Sequence, residues 1–170
     1  MKFIINREAL LEPLQLVSNR VERRQTLPIL SNLLLVADSH LTLTGTDQEV
    51  ELIGRTEEFE CSEAGGVTVP ARKLLDICKS LPESARMEFN LEGDRLGIES
   101  GRFKSHLATL PAQDFPNVDM ISNEVTFSVP ANGLHQLLDR TSFAMAQQDV
   151  RYFFNGVLLE MEGQEIRFVA

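Results

Sequence analysis

The chain has 170 residues, 43% of them hydrophobic, with seven prolines and a formal net charge of −9 at pH 7. That is enough apolar content for one ordinary domain plus part of another, and too much for a disordered chain. Its apolar runs, such as LLLVA at residues 33–37, fall far short of the roughly 20 residues that cross a bilayer, and the opening MKFIINRE turns polar too soon for a signal peptide, so a soluble, cytoplasmic protein with no membrane partner is expected.

In chain order, the first readable element is FIINREALLEPLQLV at residues 3–17. Phe3 and Ile5 alternate as in a strand, and Leu10, Leu11, Leu14 and Val17 then recur at helical spacing for about three turns. Asn6 is placed to cap that helix through its side chain. NLLLVADSHLTLTGTD and VELIGR follow as three strands, the first two joined through Asp-Ser.

The same order returns in VTVPARKLLDICKSL at residues 67–81, where Val67 and Val69 precede Leu74, Leu75, Cys78 and Leu81. RMEFNLEGDRLGIES and RFKSHLATL supply its three strands, with a turn at Glu-Gly-Asp. A third copy begins with FSVPANGLHQLLDRT at residues 127–141 and continues into NGVLLEMEGQEIRFVA. Pro70 and Pro130 suit the first helical turn, where a missing N–H costs nothing.

Each repeat is therefore a strand, a helix and then three strands, a unit unable to bury its own apolar faces. Two repeats should pair, with helices side by side against a shared antiparallel sheet, giving an α+β fold. PAQDFPNVDMISNE reads as a connector, which sets a complete first domain at 1–121 and the first half of a second, truncated domain at 122–170. In the third copy IRFVA aligns with LTLTG of the first, which goes on into another strand, so a fragment of a longer protein is expected.

Motifs for chemistry are sparse. Gly65-Gly66 has no following Lys-Ser/Thr for a phosphate loop, and Asp47, Glu49 and Glu51 alternate as on a solvated strand face. Cys61 and Cys78 lie 17 positions apart, and His40, His106 and His135 are scattered without metal-ligand spacing. Cys78 falls on the apolar helix stripe and is expected to be a buried thiol. No catalytic residue, cofactor or metal is expected. A net charge of −9 opposes nucleic-acid binding unless cations are local. They do cluster: Arg20, Arg23 and Arg24 in NRVERRQ, and Arg72, Lys73 and Lys79 in the second repeat, while acids gather in TEEFECSE and EMEGQE. A stand-alone acidic α+β domain for protein binding or inhibition is the alternative on this evidence.

The strings TLPILSNLLL, LTLTGTDQEVE, TVPARKLLDICKSLP, LATLPAQDFPNV and FAMAQQDVRYFFNG, in this order and spanning essentially the whole chain, closely resemble the bacterial sliding clamps, the beta subunits of DNA polymerase III. The resemblance implies the DNA-clamp fold and a processivity factor that is not an enzyme. Two three-domain subunits would join head to tail as a homodimeric ring around double-stranded DNA, helices inside and sheets outside. It maps DNA contacts onto Arg24, Arg72, Gln147 and Gln148. Arg151, Phe153 and Gly156 match part of a peptide pocket where DNA polymerase III, clamp-loader subunits and repair polymerases dock a short linear motif. Lys73 and Ile77, read as pointing outward, and Leu107 on an edge strand match the subunit interface.

Overall fold

The computed structural model describes residues 1–19, 21, 27–116 and 126–170. The chain divides into two compact units, Met1–Met120 and Ile121–Ala170. The first contains β1 (Lys2–Asn6), α1 (Arg7–Ser18), a 3₁₀ turn at Pro28–Ser31, β2 (Asn32–Ala37), β3 (Leu41–Thr46), β4 (Glu51–Thr56) and β5 (Phe59–Glu63). It continues with β6 (Gly65–Pro70), α2 (Ala71–Ser80), β7 (Arg86–Glu92), β8 (Arg95–Ser100), β9 (Phe103–Ala108) and β10 (Leu110–Pro111). In the second unit lie α3 (Ala131–Thr141), β11 (Leu158–Glu162) and β12 (Glu165–Val169).

The two repeats of the first unit pair as expected, but through two sheets rather than one shared sheet. Their orders are β5-β1-β7-β8-β9 and β10-β6-β2-β3-β4, all neighbours antiparallel. Each repeat lends its first strand to the sheet of the other. Phe3 lies opposite Phe89 and Ile5 opposite Met87, while Val67 lies opposite Leu35 and Val69 opposite Leu33. The two exchanges have the same register, so all eight side chains point inward and are buried. A one-residue slip would turn either strand inside out. Stacking of Phe3 on Phe89, with centroids 4.6 Å apart and planes 7° from parallel, fixes the first crossing. A buried hydrogen bond from Asn32 Nδ2 to Thr68 Oγ1, 2.9 Å, fixes the second.

Helical spacing does the rest. Leu10, Leu14 and Val17 of α1 and Leu74 and Cys78 of α2 are fully buried in one continuous core with the strands. At the junction the helices are cross-linked: Arg7 Nε donates to the Cys78 carbonyl at 2.8 Å, and the Glu8 carboxylate accepts the Ser84 N–H at 2.8 Å. Asn6 makes no side-chain cap. It is still the last residue of β1, opposite Arg86, and the first helical N–H, of Arg7, is satisfied by the Ala85 carbonyl at 2.9 Å. Pro70 and Pro130 stand one position before their helices rather than in the first turn.

Two glycines set how closely α1 approaches the sheet. A Cβ at Gly45 would lie 2.6 Å from Val17 Cγ1, and one at Gly54 would lie 2.8 Å from Cβ of Pro13, the proline inside α1. The turns read as Glu-Gly-Asp and Glu-Gly-Gln are two-residue hairpins, with Gly93 and Gly163 at φ +60° and +62°.

In the second unit α3 forms, and β11 pairs with β12 from Leu158–Val169 to Glu162–Glu165. The strand expected at Phe127–Val129 does not: residues 126–130 carry no strand. A helix closes its hydrogen bonds internally, whereas β1 and β6 are strands because neighbouring strands pair with them on both sides. Among the described residues nothing pairs with 126–130, α3 has no buried side chain, and Phe127 is 48% exposed.

Gly45→Ala should lower unfolding stability by about 1–3 kcal/mol through overpacking against Val17, read as a lower urea midpoint at unchanged slope. In hydrogen exchange, amides of β1–β3 and β6–β8 should exchange far more slowly than those of α3, β11 and β12, since protection follows burial. Equal protection would contradict the contrast in packing.

Candidate functional site

On α2 the buried residues Ala71, Leu74 and Cys78 turn one face inward, which leaves Arg72, Lys73, Asp76 and Lys79 exposed on the other. Among the described residues no ion pair holds the three cations. Three cations on the strands are matched, Lys2 with Glu88, Arg86 with Glu60 and Lys104 with Glu99, at 2.8–3.0 Å, while Arg55 on β4 and Arg95 on β8 are exposed and take part in none of these pairs. The outer face of β7, β8 and β9 forms a shallow depression lined by Glu88, Glu92, Glu99 and His106 together with Arg95. α2 thus gathers three unmatched cations on one helix of an acidic chain. Arg24 lies outside the described residues.

Of the two residues read as pointing outward to a subunit interface one lies differently, and Leu107 is on the edge strand expected, with its side chain turned inward. Lys73 is exposed, but Ile77 is half-buried against the core and Leu107 is only 3% exposed. The burial alternation of β9 turns Leu107 inward with Phe103 and Ser105, leaving Lys104 and His106 outside. What β9 offers a partner is the hydrogen-bonding edge of its sheet.

The segment after α3 is a tied loop. Gln147 and Gln148 are exposed, Gln148 at φ +60°. Asp149 then organises its neighbours. Its carboxylate accepts the Arg151 backbone N–H at 2.8 Å, Arg151 Nε at 3.1 Å and Nη2 at 3.0 Å. Its own backbone is bracketed by the Asn155 side chain, which accepts from the Asp149 N–H at 2.9 Å and donates to the Asp149 carbonyl at 3.1 Å. The Arg151 guanidinium lies 4.5 Å from the Phe154 ring centroid. Hydrogen bonds from the Arg151 side chain and backbone hold the Asp149 carboxyl below its usual range, and Asp149 raises the Arg151 guanidinium in return.

Around this frame the apolar surface is conspicuous: Tyr152 is 82% and Phe153 64% exposed, and the three rings from Tyr152 to Phe154 touch in sequence. Gly156 is exposed, with nothing within 4 Å of where a Cβ would stand. Arg151, Phe153 and Gly156 are therefore close along one loop, but Asp149 and Asn155, which shape it, were missed from sequence. The Asp-x-Arg spacing, an Asx-turn signature, was the available signal. Separately, Phe127, Val129, Leu134, Leu137, Leu159 and Ile166 line an apolar groove of about 330 Å³.

Among the described residues no group of three or more His, Cys, Asp or Glu could hold a metal, and no helix is long and apolar enough to cross a membrane. Of the thiols, Cys61 is exposed, and burial pushes Cys78 up to about 11.

The architecture defines a protein built of α+β clamp repeats, two paired in its first unit and a helix with a hairpin of the same order in its second. The family model for the DNA polymerase III beta subunit N-terminal domain matches residues 1–119, and that for the central domain matches 128–170. The chain belongs to the DNA polymerase III beta-subunit family. It is 56% identical to the beta sliding clamp of Pseudomonas aeruginosa over 171 residues, covering 100% of this chain and 47% of that protein. It also superposes on a P. aeruginosa sliding clamp bound to griselimycin (TM-score 0.96, 56% identity, 100% of this chain and 46% of that one). The Caulobacter crescentus clamp gives a TM-score of 0.89 at 37% identity, over 99% of this chain and 46% of that one. The chain thus spans about half the length of the curated relatives it matches.

Two outcomes follow from the site chemistry. A thiol reagent at neutral pH should label Cys61 alone, and Cys78 only after unfolding; two fast thiols in the native chain would contradict the burial of Cys78. The lowered pKa of Asp149 means that its pairing with Arg151 persists at and above the ordinary value of 3.8 and is lost only as pH falls further. Fluorescence of Tyr152, the sole tyrosine in a chain without tryptophan, should report that transition, and Asp149→Asn should abolish it.

Proposed function

We propose that this chain is the DNA-embracing and partner-docking portion of a processivity factor. The parent ring, a head-to-tail homodimer, would encircle duplex DNA in the cytoplasm and tether the replicative polymerase without catalysing a reaction. The observation that supports this most directly is the match along the entire chain to sliding clamps at more than half identity. The unmatched cations of α2 add to it. Sliding needs sequence-independent attraction to phosphates and no grip on base edges, and Arg72 and Lys79, exposed on one helix face, fit that need. Arg24 would act with them, and the uncharged Gln147 and Gln148 would approach the duplex.

The loop from Asp149 to Gly156 is proposed as one wall of the docking pocket for short linear motifs carried by DNA polymerase III, clamp-loader subunits and repair polymerases. Griselimycin, held by the related P. aeruginosa clamp, is a ligand with which to probe it. Arg151 supplies hydrogen-bond donors and Phe153 an apolar contact. The Lys73 end of α2 and the open edge of β9 are proposed to meet the neighbouring subunit.

Binding of the 170-residue chain to a short duplex should be weak, indifferent to base sequence and steeply salt-dependent. Arg72→Ala should reduce the slope of log affinity against log salt by about one, equally on unrelated sequences. On nicked circles at about 150 mM salt, full-length chains should be retained until linearisation and the 170-residue chain should not. Sequence-selective binding, or retention of the 170-residue chain on circles alone, would overturn the assignment.

A further inference from the structure

Arg151 is the sole Lys or Arg between Arg140 and Arg167, and it stands in the same loop as Gln147 and Gln148. An exposed arginine beside DNA would ordinarily be a phosphate contact, because its fork matches phosphate oxygens as well as it matches a carboxylate. Here the fork is already engaged at Nε and Nη2 by Asp149.

We propose that Asp149 is a specificity-determining residue: by engaging the Arg151 fork it makes the loop electrically neutral, reserving this surface for uncharged, apolar peptide segments and excluding phosphates and acidic peptides. This rests on the reading of the chain as lying against DNA while docking peptides. The geometry carries it in three ways. First, the pairing is bidentate and reinforced by the Arg151 backbone N–H on the same carboxylate oxygen. Ordinary surface pairs are loose and screened, but this acceptor is fixed from behind by the two hydrogen bonds of Asn155. Second, the exposure is asymmetric: the Arg151 side chain is 62% exposed and that of Asp149 25%, so an incoming anion meets the guanidinium with its partner already seated. Third, Tyr152 and Phe153 present apolar surface beside the neutralised pair, which suits a ligand without charge. The three remaining N–H donors of Arg151 can still serve backbone carbonyls of such a ligand.

The test uses the 170-residue chain, a short DNA duplex and inorganic polyphosphate, with affinity followed against salt. Asp149→Asn should tighten binding of both polyanions at low salt and steepen the log–log slope by about one. Adding Arg151→Ala to that variant should restore the original slope. Arg151→Ala alone should leave the slope unchanged, because a fork held by Asp149 neutralises no phosphate, while the bared Asp149 charge slightly weakens binding at low salt; since Asp149 stays in place, this variant tests the idea even if Asp149→Asn loosens the loop. A slope lowered by Arg151→Ala alone, as by Arg72→Ala, would overturn the proposal, as would an unchanged slope in Asp149→Asn with an intact Tyr152 environment. If Arg72→Ala has no effect on duplex binding, the DNA-facing reading fails instead, and the polyphosphate arm still reports on Asp149.

Discussion

Reciprocal strand exchange is the constraint on which the first unit depends. Neither repeat contains a finished sheet: β1 belongs to the sheet of the second repeat and β6 to that of the first, and Phe3, Ile5, Val67 and Val69 reach the core only by crossing over. Once both strands have crossed, α1 and α2 are brought together over a single core, and Arg7 and Glu8 find the Cys78 carbonyl and the Ser84 N–H. The close approach of α1 to β3 and β4 then excludes a side chain at Gly45 and Gly54. The second unit shows the same rule from the other side. Its helix and hairpin form locally, but residues 126–130 stay out of any sheet and the apolar groove bounded by Phe127 and Leu159 stays open.

Much of this was legible in the sequence because periodicity reports which face is buried. All six aligned apolar positions of the first copy, from Phe3 to Val17, are in or against the core, as are those of the second, from Val67 to Leu81. Gly93 and Gly163 likewise announced their hairpins. Periodicity is silent on which sheet a strand joins, since alternation is the same whichever neighbour it pairs with, and so one shared sheet was expected where two exist. It also cannot tell a strand from a strand without a partner, which is why Phe127–Val129 was misread. Asn6 was misjudged because its capping role competed with its place opposite Arg86.

For the site, residue type was readable and orientation was not. Arg72 and Lys73 emerged on the exposed face that helical spacing assigns them, whereas Ile77, read as outward, lies at the flank of the same helix and packs half-buried against the core. Charge on the first unit is arranged by pairing rather than composition. Acids pair with Lys2, Arg86 and Lys104 on the strands while the three cations of α2 stay unmatched among the described residues, so a chain of net charge −9 carries a local cluster of positive charge. The loop around Arg151 applies the opposite treatment to a single cation, and the carboxylate responsible lies only two residues away.

The crossing of β1 also has a consequence during synthesis. Phe3 is made 58 positions (61 − 3) before Cys61 of β5, its neighbour on one side, and 86 positions (89 − 3) before Phe89 of β7, its neighbour on the other. At ribosomal rates of about 5–20 residues per second, β1 waits roughly 3–12 s for β5 and roughly 4–17 s for β7. Until β5 is made, Phe3 and Ile5 are apolar, alternating and unpaired, the condition in which a nascent strand is most open to wrong partners. Lys2 ahead of them and Arg7-Glu8 behind are the charges that flank this segment on the nascent chain.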